Sequence, residues 1–161
     1  MPEPAPAPSA ADALDTKGCS VLVVDDNEQN RELLVAYLED LGCEIREAAD
    51  GFQALEAVQA KRPDIVLLDV MMPRMSGYQA CKHIKSGAGT KGVPVIMVTA
   101  LNEVGDIERA MDSGADDFLT KPVNRVELLA RVRSLMRVSV LQRQLDQAVS
   151  EVKRLSGEPG A

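Results

Sequence analysis

Aromatic residues are nearly absent from this 161-residue sequence, which holds two Tyr, two Phe and no Trp. That removes the stacking platforms on which single-stranded nucleic acid or sugar rings are held. A single histidine, His83, leaves no means of assembling a histidine metal cluster or a histidine-based triad. Cys19, Cys43 and Cys81 stand too far apart for a disulfide framework or a zinc site. Positive charge is also short: 25 acids against 18 bases give a formal net charge of −7, the wrong sign for a grip on nucleic acid by the chain as a whole. No run approaches the ~18 apolar residues of a membrane span, and the start has neither the early positive charge nor the apolar segment of a secretory leader. What is present, 45% hydrophobic and 27% charged residues, is the composition of a folded domain. A cytoplasmic protein is expected.

Residues 1–17, with Pro at 2, 4, 6 and 8 among Ala, read as a disordered tail; residues 157–161 read as a second one. Between them short β-branched runs alternate with helical patterns. Cys19–Val24 is an unbroken apolar strand ending in acids. Asn27 caps a helix that runs through Leu41 and stops at Gly42. Cys43–Glu47 alternates like an edge strand. Asp50 caps a helix with Phe52, Leu55 and Val58 on one face, ended by Pro63. Asp64–Asp69 is a second buried strand, followed by a helix near Gly77–Ser86. The strand Val93–Thr99, a helix Glu103–Ser113 stopped by Gly114, the strand Ala115–Thr120 and a helix from near Val123 complete five βα units. Continuous apolar strands imply burial on both faces, hence a parallel sheet with helices on either side. The right-handed crossover rule makes that sheet doubly wound.

In such sheets the working residues lie beyond the carboxyl ends of the strands. Those ends deliver Asp25 and Asp26, Asp69, Thr99 and Lys121. Carboxylates ~4 Å apart repel by ~4 kcal/mol at an effective dielectric near 20, so the cluster demands either a cation or a protonated carboxyl. All-oxygen donors favour Mg²⁺ over Zn²⁺. A phosphoryl group would engage the metal, the Thr99 hydroxyl and the Lys121 ammonium together. His83 reads as a surface residue and Cys81 as packing.

The stretches Val21–Asn27 (VLVVDDN), Pro63–Pro73 (PDIVLLDVMMP), Ser76-Gly77, Thr99-Ala100 and Gly114–Pro122 (GADDFLTKP) resemble the receiver domain of bacterial two-component response regulators over about residues 18–137. The segment from Val93 onward is most like receivers that precede diguanylate cyclase domains. The resemblance implies a flavodoxin-like (βα)5 sandwich with strand order 2-1-3-4-5. It implies Asp69 as phosphoacceptor, with Mg²⁺ held by Asp26 directly, Asp25 mainly through water, Asp69, and the backbone carbonyl of Met71. Thr99 would take a phosphoryl oxygen and Lys121 would pair with Asp69, then with the phosphate, its bond to Pro122 being cis. Phe118, with Thr99, would be the switch. The donor would be a histidine kinase or phosphotransfer protein, and the receiver would be a switch rather than an enzyme. Met71 and Leu101 would border the path of hydrolytic water and prolong the life of the aspartyl phosphate.

An aspartyl-nucleophile phosphatase would need a second acid two residues beyond Asp69, where Met71 stands. A nucleotide site would need a Gly-rich loop after the first strand, and none is there. A receiver-like scaffold that is never phosphorylated, and a module detached from a larger protein such as a diguanylate cyclase, remain as alternatives. Residues 138–156 are read as a helical extension: Val138, Leu141, Leu145, Ala148, Val152 and Leu155 repeat at alternating spacings of three and four, about two and a half heptads of coiled-coil pattern. With Asp117 and Arg131, which match positions of an intermolecular salt bridge in dimerising receivers, this pattern points to a homodimer through helix four, strand five, helix five and the C-terminal helix. The match is partial, because Ile107 stands where helix four would carry a basic residue.

Overall fold

A computed structural model describes residues 18–100 and 104–157. The elements in chain order are β1 (Ser20–Val24), α1 (Glu28–Leu38), β2 (Glu44–Ala48), α2 (Gly51–Ala60), β3 (Ile65–Asp69), α3 (Gly77–Ser86), β4 (Val95–Thr99), α4 (Val104–Asp112), β5 (Asp117–Thr120) and α5 (Arg125–Leu155). The five strands form one parallel sheet in the order β2-β1-β3-β4-β5. This is the expected doubly wound, flavodoxin-like architecture.

Alternation along each strand sorts its side chains between two cores. Leu22, Val24, Val66, Leu68, Val95 and Met97 face α2, α3 and α4. Val21, Val23, Ile65, Leu67, Ile96 and Val98 face α1 and α5. With helices on both sides, β1, β3 and β4 are buried from end to end, which is why these strands carry no solvent-facing polar residue to break their apolar runs. The edge strand β2 buries only Ala48 of its five residues, with Ile45 and Arg46 half-buried and Glu44 and Glu47 exposed, so it is an edge strand but without a clean inside-outside alternation.

The helix ends follow local chemistry. Asn27, Asp50, Ser76 and Asn124 each accept a hydrogen bond from a backbone N–H of the first turn they precede. Ser76 and Gln79 complete a reciprocal capping box. The chain leaves α1 through a 3-10 turn, Glu39–Leu41, and Gly42 takes a left-handed φ of 68° to turn into β2.

One face is corrected by the structure. Phe52 was expected beside Leu55 and Val58, yet it is 49% exposed. The buried side of α2 is Gly51, Ala54 and Val58. A spacing of 52, 55 and 58 drifts around a 3.6-residue helix, and the Arg74 guanidinium covers the Phe52 ring from outside at 5.7 Å. His83 is exposed and Cys81 is buried. The residues expected to form the N-terminal tail, 1–17, and residues 158–161 of the C-terminal one lie outside the described residues.

Candidate functional site

Parallel strands put all carboxyl ends on one rim. Asp25 follows β1, Asp69 ends β3, Thr99 ends β4, and Lys121 follows β5. The register pairs Val24 with Leu68, Asp69 with Val98, and Thr99 with Thr120, so side chains up to 96 residues apart in sequence meet there. Carboxylate oxygens of Asp25, Asp26 and Asp69 all lie within 4.8 Å of one another. Asp25 and Asp69 are buried while Asp26 is exposed.

Each acid is held by its own surroundings. The Asp25 backbone N–H donates to the Ala48 carbonyl, and the Asn27 N–H donates to Asp25 Oδ1 at 2.8 Å. The Arg31 guanidinium donates to the Asp25 carbonyl oxygen at 2.7 Å. Lys121 Nζ donates to Asp25 Oδ2 and to Asp69 Oδ1, each at 3.2 Å. The Lys121–Pro122 bond is cis, and the Lys121 N–H donates to the Thr99 carbonyl at 2.8 Å. Thr99 itself is buried.

Three carboxylates therefore face one ammonium. Burial pushes the Asp69 carboxyl up to a pKa of about 6, helped by the charge of Asp25 and opposed by Lys121. Burial also acts to deprotonate Lys121, but the carboxylates of Asp69 and Asp25 outweigh it and raise its pKa. The site is short of positive charge, its donors are hard oxygens, and two of its acids are withdrawn from water. These properties fit a divalent cation of the Mg²⁺ kind. Asp25 already spends both carboxylate oxygens on Asn27 and Lys121, consistent with contact to such an ion through water. Met71 lies two residues beyond the end of β3, and its side chain is 63% exposed. Leu101 lies outside the described residues. Phe118 is half-buried against the core that contains Met97, Ala110 and Ala115.

Arg31 and the close approach of Gly77 were not anticipated as parts of the site. Gly77 opens α3, and its N–H donates to the Val70 carbonyl at 2.9 Å. A Cβ on it would sit 2.2 Å from the Asp69 carbonyl oxygen. The Ser76-Gly77 pair was the signal, although nothing local says which strand the glycine touches.

A model of the response regulator receiver domain matches residues 21–133. The chain belongs to this family. Response regulator PleD of Caulobacter vibrioides is 44% identical over 141 residues, covering 88% of this chain and 31% of that protein. DNA-binding response regulator MtrA of Mycobacterium tuberculosis is 41% identical over 124 residues, covering 77% and 53%. The chain thus spans from about a third to about half of these relatives. Among solved structures, the receiver domain of sensor histidine kinase PA1611 from Pseudomonas aeruginosa, with a magnesium ion coordinated in its active-site cleft, matches with a TM-score of 0.69 at 33% identity. That match covers 73% of this chain and 97% of that one. Receivers are phosphoacceptors of two-component phosphorelays, served by histidine kinases, and are not in general enzymes.

Proposed function

We propose that this receiver accepts a phosphoryl group on Asp69 and converts it into altered contacts with other proteins. The observation that carries this reading is the three-carboxylate rim, two of whose acids, Asp25 and Asp69, share Lys121, with a buried threonine at the neighbouring strand end. Asp25, Asp26, Asp69 and the Met71 backbone carbonyl would hold Mg²⁺. When bound, the ion would neutralise the acids and the incoming phosphoryl oxygens.

An ionised Asp69 oxygen attacks the phosphorus of a kinase phosphohistidine; the O–P bond forms as the N–P bond breaks, and the imidazole leaves. Lys121 steadies the carboxylate and then the phosphoryl group. Its two 3.2 Å bonds keep it central to both acids. The Thr99 hydroxyl takes a phosphoryl oxygen, and its movement leaves Phe118 room to turn toward the core on which it already rests. The surface made by α4, β5 and α5 is thereby reshaped. Asp117 and Arg131 pair on that surface within one chain at 2.6 Å, and Arg131 also reaches Glu127 at 3.3 Å. A second copy or another protein would compete for these partners.

The donor is a histidine kinase or phosphotransfer protein, which sets the reaction in the cytoplasm. No described helix is long and apolar enough to cross a membrane. Because the chain covers 31% of PleD, service as one module of a longer regulator, such as a diguanylate cyclase, is the second reading. Its boundaries would be a receiver over 18–137 and a helical extension over 138–156.

Incubation with Mg²⁺ and a small acyl-phosphate donor is expected to add one phosphoryl mass, labile to hydroxylamine. Asp69→Asn, or omission of Mg²⁺, is expected to abolish it. A gain that survives Asp69→Asn would overturn the assignment and leave the scaffold reading.

A further inference from the structure

Helix α5 does not stop with the domain. It runs unbroken for 31 residues, to Leu155. Its first half buries Leu128, Val132 and Met136 against the sheet. At about 100° per residue, Ser139 and Arg143 fall on the same side, and both reach back to the body: Ser139 Oγ and the Arg143 guanidinium each stand 3.3 Å from Asp64 Oδ1. The other Asp64 oxygen accepts the Ser20 N–H at 2.8 Å. One carboxylate at the start of β3 thus fixes the direction in which the helix leaves the domain.

That orientation decides what the apolar seam meets. Leu141, Leu145, Val152 and Leu155 lie on the opposite side of the helix from Leu128, Val132 and Met136, with Val138 at the margin beside a groove that Pro63 and Pro94 also line, and each is more than half exposed. The seam cannot fold back on its own receiver while Ser139 and Arg143 hold the helix by its other face. Unsupported helices of this length are marginal in water, so the seam calls for a partner.

We propose that the partner is a second copy of this chain, joined in parallel along residues 138–155 as a two-stranded coiled coil. The sequence of the seam favours that occupant. Val138, Leu145 and Val152 take one seam position, two of the three being the β-branched type that selects two parallel strands, and Leu141, Ala148 and Leu155 take the alternate position. The flanking positions Gln142, Gln144, Val149 and Glu151 present no like-charge row to an identical helix. The exposed apolar side chains amount to on the order of 600 Å² per copy, so about 1,200 Å² in a pair, the lower end for a stable interface. A dimer in measurable exchange with monomer follows from that size. Stepping back by sevens from Val138 and Leu141 reaches Arg131 and Ser134, which are polar. The apolar zipper therefore ends where the receiver begins. This pairing does not depend on the phosphoacceptor reading.

The test is sedimentation velocity of the full 161-residue chain without phosphodonor over a wide concentration range. The mass of two copies, falling toward one on dilution, is expected. Leu141→Glu/Leu145→Glu should be a monomer throughout, while its thermal melting stays cooperative at the parent's midpoint and reports an intact receiver. Leu155→Cys should cross-link to itself under mild oxidation, mapped by peptide mass, since a parallel register places the two residues face to face. A monomeric parent at every concentration, a double variant that stays dimeric, or a mass of three or more copies would each overturn the proposal. A dimeric Leu155→Cys protein that fails to cross-link would overturn the parallel arrangement.

Discussion

Metal-free Asp69→Asn protein is expected to melt above its parent at pH 8 and level with it near pH 4. In the parent the Asp69 carboxyl is buried, and its pKa is pushed up to about 6 by that burial and by Asp25, against the pull of Lys121. The unfolded chain releases the same proton near its ordinary value of about 3.9. Between those two values the folded state binds more protons than the unfolded state, so stability falls as pH rises. The contribution is fully present below the unfolded pKa and is lost as pH rises through about 6. A shift of this size corresponds to nearly 3 kcal/mol at ~1.4 kcal/mol per pH unit. Partial contact of the rim with water reduces it to about 1–2 kcal/mol, or roughly 4–8 °C in melting temperature. Asparagine keeps the shape and removes the charge. The quantity to follow is the difference between the two melting temperatures across pH, because titrations common to both proteins cancel in it. Mg²⁺ should stabilise the parent most at pH 8 and less at pH 5, where protons compete for the same oxygens. A difference that stays flat from pH 4 to 8 would show that Asp69 carries no such burden.

The fold was legible where one physical cause dominated. Continuous apolar runs in β1, β3 and β4 could only be strands covered on both faces, and a parallel sheet then had to bring Asp25, Asp69, Thr99 and Lys121 to one rim. Alternation marked β2 as an edge, and Asn27 and Asp50 announced their helices. Legibility failed where the answer lay in distant neighbours. Phe52 has the composition of a core residue, but the inner side of α2 is filled by Gly51, against which Met75 packs, and by Ala54 and Val58. Arg31 reaches the Asp25 carbonyl as well as the Glu47 carboxylate, and composition cannot signal the first of these. Lys121 was paired with Asp69 in advance, whereas its equal hold on Asp25 needed the register of the whole sheet. Asp64 looked like one more strand-flanking acid; its grip on Arg143, 79 positions along the chain, emerges only once α5 is seen to overrun the domain.

Gly77→Ala is expected to damage phosphotransfer more than its loss of stability explains. Gly77 is the first residue of α3 and lies against the end of β3. An added Cβ would come within 2.2 Å of the Asp69 carbonyl oxygen and 2.8 Å of the Val70 Cα, both backbone atoms with no rotamer by which to yield. Either α3 lifts away, straining the Gly77–Val70 hydrogen bond, or the Asp69 peptide shifts. Overpacking of this kind costs about 1–3 kcal/mol. A phosphoacceptor displaced by a sizeable fraction of an ångström loses alignment with its donor, for which up to ~100-fold in rate is a fair scale. Gly105→Ala provides the contrast. It sits inside α4 with nothing within 4 Å of an added Cβ, and alanine there should stabilise the helix by roughly 0.4–1 kcal/mol with no direct contact to Asp69. The two variants should be compared by thermal melting and by the initial rate of phosphoryl gain at saturating Mg²⁺. If Gly77→Ala lowers the melting temperature but reacts at the parent rate, α3 has moved while β3 stayed. The tight packing would then serve the fold alone, and the link from Gly77 to the position of Asp69 would be lost.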